Sequence, residues 1–166
     1  MGERQDEFER VAMPHVASLL RFARRLTANR SAANDLVQET CLRAWRAFDG
    51  LRPGSNVRAW LFRILINTSR GEGRKAKRSL ELASFCREAN PRSMPSVDES
   101  VELLDALDAL PRDQKETIIL VMIEGFTCRE ASEILSVPQG TVMSRLSRAR
   151  QALREELASN CSRVSR

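Results

Sequence analysis

The sequence predicts an all-α protein made of two small helical domains joined by a flexible linker. Apolar residues recur at helical spacing through most of the 166 residues, and no segment alternates long enough to predict a β-strand. Helical patterning is lost between residues 79 and 99, where Asn90, Pro91 and Pro95 are typical of a linker. The predicted order is a domain at 1–78, a linker at 79–99, a domain at 100–160 and a tail at 161–166.

The first domain is predicted to contain three amphipathic helices. The first helix carries Pro14 as an irregularity, Ser31 is predicted to cap the second, and the turn-forming cluster 49–56 (DGLRPGSN) precedes the third. The apolar stripes predicted to form the core are Phe8, Val11, Met13, Val16, Leu19, Leu20, Ala23 and Leu26, then Val37, Cys41, Ala44, Trp45 and Phe48, then Val57, Trp60, Leu61, Ile64 and Leu65.

The second domain resumes the helical pattern with Val101, Leu104, Leu107 and Leu110. After Pro111, the segment 117–124 predicts a buried helix that ends at Gly125, a residue type typical of the position after a helix. Thr127 and Glu130 have the spacing of a capping box, so another helix is predicted to begin there.

The segment 127–150 predicts a helix-turn-helix. The run Ser136-Val137-Pro138 ends the first helix, and the second has an apolar stripe of Val142, Leu146, Ala149, Leu153 and Leu157. The opposite face carries Gln139, Thr141, Ser144, Arg145 and Arg148, a composition suited to a DNA major groove. An ordinary helical hairpin with a solvated basic face fits this segment equally well.

Charge is distributed unevenly along the chain. The net balance is +8 over residues 1–78, −5 over 79–111 and +2 over 112–166, which gives +5 in total. Two basic blocks around an acidic segment indicate two modules that face a polyanion. Only three of the 27 basic residues are lysine, and arginine suits both phosphates and guanine edges.

Several classes of site are not predicted. Cys41, Cys86, Cys128 and Cys161 form no CxxC pair, so neither a zinc site nor a disulfide framework is expected. We find no P-loop, dinucleotide fingerprint or catalytic constellation, and the single His15 is predicted to be structural. No secretory signal or membrane span is visible. We therefore expect a cytoplasmic protein without a cofactor that is not an enzyme.

Asp35, Gln38 and Glu39 are spaced to share one face of the second helix, away from the predicted core. On its own, such a triplet is more often an ordinary solvated surface. Three longer segments, considered together, carry a more specific signal than the triplet. They are AANDLVQETCLRAW, RAWLFRILINTSRGEGRKAKR and LDALPRDQKETIILVMIEGFTCREASEILSVPQGTVMSRLSRARQAL. In order and spacing they resemble a bacterial RNA polymerase sigma factor of the extracytoplasmic-function (ECF, group 4) kind, in the sigma-70 family.

That resemblance implies a fold and a set of partners. It implies a sigma-2 helical bundle, a linker and a sigma-4 helix-turn-helix domain. The implied partners are promoter DNA and core RNA polymerase, which is met at the β′ clamp helices and the β flap. The resemblance also implies an anti-sigma protein that masks these faces.

The resemblance also implies roles for individual residues. The triplet Asp35, Gln38 and Glu39 matches the face that docks on the β′ clamp helices. The −10 element is expected to meet Leu51, Ser55 and Asn56 of the loop, Asn67, and the basic residues Arg70, Arg74, Lys75 and Arg78. The −35 element is expected to meet Gln139, Thr141, Met143, Ser144, Arg145, Ser147 and Arg148. Of these, Arg145 and Arg148 are predicted to read guanine.

The chain departs from the family pattern at several positions. Met143 stands where many members have a basic residue, and Gly71 and Gly73 indicate either that the third helix ends near Arg70 or that its tail orders on DNA. The segment 140–146 is similar to the thiol-stress subgroup, which implies an anti-sigma partner that contains zinc.

Two other function classes compete with this interpretation. A self-contained dimeric helix-turn-helix regulator would use the basic second helix but would give the Asp35 face no role. A helical enzyme would need a convergent catalytic set, and the sequence does not supply one.

Overall fold

The computed structural model describes residues 2–27, 29–82 and 105–164, with side chains for 2–27, 29–71 and 105–158. All the regular elements in these ranges are helical, which confirms the predicted fold class. The chain divides into two compact units, Met1–Arg92 (unit 1) and Ser93–Arg166 (unit 2). Most of the predicted linker, residues 83–99, lies outside the described residues, as do Val101 and Leu104.

Unit 1 contains three helices that each pack against the other two. They are α1 (Gly2–Leu26), α2 (Arg30–Ala47) and α3 (Val57–Leu82), and a 3₁₀ turn, Phe48–Gly50, follows α2. The largest fully buried side chains are Leu19 and Phe22 of α1, Leu36 of α2, and Leu61, Phe62, Leu65 and Ile66 of α3.

Aromatic contacts tie the helices of unit 1 together. The Phe22 and Phe62 rings meet edge to face with centroids 5.2 Å apart, in the favoured geometry for aromatic pairs. Phe8 makes edge-to-face contacts of 5.3 Å with both Trp45 and Phe48. Trp45, which was predicted to face the core, has a half-buried ring that packs against Phe8 at one end of the bundle.

Helix α1 continues through the exposed Pro14, so the irregularity predicted there does not end the helix. Two local predictions in unit 1 were wrong. The cap of α2 is Asn29 rather than Ser31: its side-chain oxygen accepts from the Ala32 amide at 2.8 Å. Met13 was assigned to the core but is 57% exposed.

Helix α3 also extends beyond the two glycines at which we considered its end. The helix runs through Gly71 and Gly73 to Leu82, so residues 79–82 of the predicted linker are helical. Glycine weakens a helix by about 1 kcal/mol relative to alanine but does not forbid it.

Unit 2 consists of a helical segment at 105–109 (α4), then α5 (Arg112–Ile118), α6 (Cys128–Leu135) and α7 (Gln139–Val164). A π-helical turn, Ile119–Ile123, extends α5 and was not predicted. Helix α7 packs against both α5 and α6. Helix α7 continues to Val164, so residues 161–164, which were predicted to be part of the tail, are helical. The buried core includes Ile119, Leu120, Ile134, Leu135, Val142 and Ala149.

The caps and turns of unit 2 follow the sequence prediction closely. Both halves of the Thr127–Glu130 capping box form, with the Thr127 amide donating to Glu130 Oε2 at 2.8 Å. Gly125 has a φ of 73° at the end of the π-helical turn. Ser136 ends α6 with a φ of 55°, a left-handed conformation that few non-glycine residues adopt.

The aromatic pair at the centre of unit 1 leads to a stability prediction. Phe22→Ala should lower the free energy of unfolding of unit 1 by about 3–5 kcal/mol, because it leaves a cavity against Phe62. Both tryptophans of the chain, Trp45 and Trp60, lie in unit 1, so denaturant unfolding followed by tryptophan fluorescence reports on this unit. Met13→Ala on the same helix is the control, with an expected change within about 0.5 kcal/mol. Equal losses in the two variants would contradict the assigned core.

Candidate nucleic-acid interface

Helix α2 presents one polar face to solvent while its other face is in the core. Asp35 and Gln38 are exposed, as the sequence predicted, and Glu39 pairs with Arg43 at 2.6 Å. Leu42 lies seven residues beyond Asp35 on this face and is 51% exposed. The docking face, as we call Asp35, Gln38, Glu39 and Leu42, thus has an apolar member that our sequence analysis did not include. Its i+7 spacing from Asp35 was the available signal.

The loop after α2 is anchored at its start by a charged fork. The Arg4 guanidinium donates to both carboxylate oxygens of Asp49, at 2.6 and 3.0 Å, and to the Trp45 carbonyl at 3.0 Å. It also lies 4.0 Å from the centre of the Trp45 ring. A bidentate arginine–carboxylate pair fixes geometry as well as adding energy. The first residues of the loop are therefore held against α1.

The loop ends in a helix cap. Asn56 accepts from the Ala59 amide at 3.0 Å through its side-chain oxygen and so caps α3. Before it, the Ser55 amide donates to the Arg52 carbonyl at 3.1 Å, and Gly54 adopts a φ of 81°. Ser55 is exposed and Leu51 is half-buried. Asn56, which was predicted to contact a base, therefore also caps α3, and this capping role was not predicted from the sequence.

Helix α3 carries the remaining residues predicted for the −10 element. Asn67 is exposed and Arg70 is half-buried one turn later. Arg74 and Arg78 follow at four-residue intervals, with Lys75 beside them. The side chains of these last three lie outside the described ones. The backbone therefore brings Asn67 and the basic residues into succession along one helix.

Helix α7 presents most of the residues predicted for the −35 element. Gln139, Met143, Ser144, Ser147 and Arg148 are exposed. Thr141 is half-buried, and its carbonyl accepts from the Ser144 hydroxyl at 3.0 Å. These residues follow the turn and occupy the part of the second helix that usually meets base edges.

Arg145 is the exception to the predicted set. Its guanidinium turns toward α5 and pairs with Asp113 at 3.1 Å, which leaves the side chain only 21% exposed. Its Nη1 atom is buried and has no hydrogen-bond partner in the described part of the chain. In this conformation the guanidinium is paired and only partly exposed, so it is not presented to a base edge. The geometry therefore favours a structural role for Arg145 over the predicted guanine contact.

An open groove of about 590 Å³ runs beside α7. Its apolar lining includes Val121 of the π-helical turn together with Met143 and Leu146, while Arg150 and Arg154 line it with positive charge. Arg150 Nη2 also lies 3.1 Å from the sulfur of Met122. The groove therefore combines an apolar wall with guanidinium groups next to the exposed face of α7.

Among the described residues, two titratable groups have displaced pKa values. Partial burial, followed by the charge of Arg58, lowers the pKa of His15, which keeps the imidazole neutral at physiological pH. Partial burial raises the pKa of the Cys41 thiol, which makes it a poor nucleophile. Cys41 and Cys128 are free thiols, and no cluster of three or more potential metal ligands occurs among the described residues. No helix in the described ranges is long and apolar enough to cross a membrane.

Comparison with known families matches both units. Residues 12–79 match the model for Sigma-70 region 2, and residues 100–153 match the model for Sigma-70, region 4. The chain is 43% identical over 141 residues to the ECF RNA polymerase sigma factor EcfG of Rhodopseudomonas palustris (strain TIE-1), covering 83% of this chain and 78% of that protein.

Solved structures show the same architecture. RpoE of Bartonella quintana, in complex with the anti-sigma factor NepR, is 35% identical with a TM-score of 0.80, over 92% of this chain and 97% of that chain. CnrH, in complex with the cytosolic domain of CnrY, is 30% identical with a TM-score of 0.70, over 93% and 90% of the two chains.

The Asp113–Arg145 pair can be tested independently of function. Asp113→Ala and Arg145→Ala should each destabilise unit 2 by up to about 1 kcal/mol, the usual range for an ion pair with an exposed partner, because the Asp113 side chain is 48% exposed. The double variant should lose less than the sum of the two, because the residues share one interaction. Native-state hydrogen exchange of the α5 and α7 amides measures the change. The exposed Arg148→Ala is the control, and additive losses would show that the pair is not coupled.

Proposed function

The chain belongs to the ECF RNA polymerase sigma factors of the sigma-70 family, and we propose how its residues divide the work of promoter selection. As a sigma factor it binds core RNA polymerase and directs initiation at promoters. The observation that carries this function is the presence of both a region 2 match and a region 4 match in one chain. A self-contained dimeric regulator would account for the helix-turn-helix but not for unit 1.

For core binding we propose the docking face of α2. Its exposed carboxylate and amide groups can accept and donate hydrogen bonds to a basic or polar helical surface, and Leu42 offers an apolar contact at the C-terminal end of the face. Interfaces gain most of their affinity from a few desolvated contacts surrounded by polar ones. The combination of Leu42 with Asp35 and Gln38 has this composition and suits the β′ clamp helices. The β flap is proposed as a second polymerase contact, met by unit 2.

For the −10 element we propose a division between the loop and α3. Extracting a base from the DNA stack costs a few kcal/mol, so the protein must supply a prearranged pocket. The Arg4–Asp49 fork and the Asn56 cap hold both ends of the loop, which leaves Ser55 exposed between them. Asn67 can donate to and accept from a base, while Arg70, Arg74, Lys75 and Arg78 neutralise promoter phosphates.

For the −35 element we propose that α7 enters the major groove. Arg148 is the exposed guanidinium for a guanine, and Gln139, Ser144 and Ser147 offer further polar contacts. Arg145 acts as a positioning residue: its pairing with Asp113 fixes α7 against α5. This assignment replaces the guanine contact that the sequence predicted for Arg145. Thr141 supports the helix through the Ser144 hydrogen bond.

The domain boundaries stay part of the proposal. We propose 1–78 as the region that binds core and the −10 element, 79–99 as the connecting segment, and 100–160 as the region that binds the −35 element. The chain is proposed to act in the cytoplasm, where its polymerase works, and to contribute binding rather than catalysis. We propose no cofactor.

An anti-sigma protein is the proposed regulator. RpoE and CnrH, which share 35% and 30% identity with this chain, were each solved in complex with such a protein or with the cytosolic domain of a partner. Similarity over nine-tenths of the chain supports a partner of the same kind here. That this partner contains zinc, as the thiol-stress resemblance implied, stays a prediction that metal analysis of the native complex can test.

The function is tested by reconstitution. The chain is mixed with sigma-free core polymerase of its own organism and with a promoter selected from a random library. We expect specific initiation that neither core nor the chain gives alone. Tight binding of the isolated chain to a palindrome as a dimer, without initiation in the presence of core, would instead support the dimeric regulator.

The docking face leads to a separate prediction. The double change Gln38→Ala with Glu39→Lys should weaken core association by at least about tenfold, because it removes a hydrogen-bonding group and places a like charge at a basic surface. Glu7→Lys on α1, also exposed, makes the same change of charge and should leave association within about twofold of the parent chain. Pull-down of core measures the effect, and circular dichroism checks the fold. Equal losses in both variants would point to net charge alone.

A further inference from the structure

Met143 is the one large apolar side chain that α7 exposes within the described residues. It is 58% exposed, whereas Val142, Leu146 and Ala149 on the neighbouring positions are buried. Ser144 and Ser147 beside it are short, so the methionine protrudes from this part of the surface. It is the fifth residue of α7, where a recognition helix presents its base-contacting residues.

The surroundings of Met143 combine two kinds of chemistry. It lines the groove beside α7 with Val121 and Leu146, which give an apolar wall. Arg150 and Arg154 line the same groove and are exposed. A DNA strand offers the matching pair of features, an apolar group on a base edge and a phosphate on the backbone.

The chemistry of the major groove restricts what a methionine can recognise there. Its thioether is at most a weak acceptor, so it cannot make the paired hydrogen bonds that distinguish guanine or adenine. Among the four base pairs, only those containing thymine present an apolar group, the 5-methyl, in the major groove. The nearest competing cation on α7, Arg145, is bound to Asp113. Arg145, two residues after Met143, is therefore engaged within the protein and does not compete with Met143 for the same base.

We propose that Met143 selects a thymine in the −35 element by packing against its 5-methyl group. The inference rests on the proposed function, since it names one base contact of the same α7 surface. It assigns polar readout to Arg148 and apolar readout to Met143, with Arg150 and Arg154 directed to the backbone of the same strand.

The test removes one methyl group from the DNA. Promoters are first selected with holoenzyme assembled from core polymerase and the full chain, and each thymine of the −35 element is then replaced singly by deoxyuridine. Loss of the methyl at one position should weaken promoter binding by about three- to fivefold, the effect of removing one buried carbon from an apolar contact. The other thymines of the element should tolerate the change within twofold.

Protein variants link that position to Met143. Met143→Ala should bind the thymine and deoxyuridine promoters equally, while Met143→Leu should keep the preference. Met143→Arg should shift selection at this position toward guanine. Met13→Ala, the same change at an exposed methionine of unit 1, is the matched control and should behave as the parent chain.

Several outcomes would overturn the inference while leaving the function intact. These are a selected −35 element with no thymine requirement, equal binding of every deoxyuridine promoter by the parent chain, or an unchanged thymine preference in Met143→Ala. If Met143→Ala weakens only the binding of an anti-sigma protein, the groove is a protein-docking site instead. Failure of the parent holoenzyme to initiate at all would refute the proposed function itself.

Discussion

The packing of α7 against α5 and α6 is the interaction on which the exposed surface of unit 2 depends. Val142, Leu146 and Ala149 are spaced along one side of α7 and are buried, so the opposite side is directed outward. The Arg145–Asp113 ion pair adds an electrostatic contact between α7 and α5 beside these apolar residues. Apolar contacts alone tolerate small rotations of a helix about its axis, whereas rotation that separates an ion pair costs Coulomb energy. Readout of bases requires such restriction, because a rotated helix would offer the groove a different set of side chains.

Unit 1 solves a related problem with a loop. A segment rich in glycine, proline and serine has many conformations, and ordering it on DNA would cost conformational entropy. Anchors at both ends reduce that cost before DNA arrives: Arg4 grips Asp49, and Asn56 caps α3. Arg4 comes from α1, which packs on the other two helices through the core around Phe22 and Phe62. Core packing in unit 1 is thereby transmitted to the loop that we propose for base capture.

The sequence was sufficient wherever the determining residues are close together in the chain. The Thr127–Glu130 capping box, Gly125 and the turn at Ser136–Pro138 were all predicted, because each depends on neighbours within four residues. The sequence was insufficient where the partner is distant. Arg145 and Asp113 are 32 positions apart, and nothing in the local pattern distinguishes a paired arginine from a free one. For the same reason the sequence did not reveal that Arg145, predicted to read guanine beside Arg148, pairs with Asp113. Met13 was assigned to the core because the apolar stripe of α1 is wider than the face that its two neighbours cover.

Local competition explains the remaining errors. Asn29 and Ser31 are both good caps, and the sequence could not decide between them before the end of α1 was known. Gly71 and Gly73 weaken α3 without ending it, so the basic residues that follow continue on a helix in the described backbone.

Within the proposed function, the residues that give affinity for DNA differ from the residues that give specificity for a promoter. We propose that the arginines and lysines of α3 contact phosphates, which would give salt-sensitive binding to any DNA, and that Asn67, Met143 and Arg148 read base edges. An inhibitor that covered only the basic residues Arg70, Arg74, Lys75 and Arg78 of α3 would lower the affinity for all DNA. An inhibitor that covered only the docking face would keep the chain from the polymerase but would leave the proposed DNA-binding residues exposed. Masking the docking face of unit 1 together with the proposed DNA-binding residues of α7 in unit 2 is thus the more complete form of control, and it requires a partner that reaches both units.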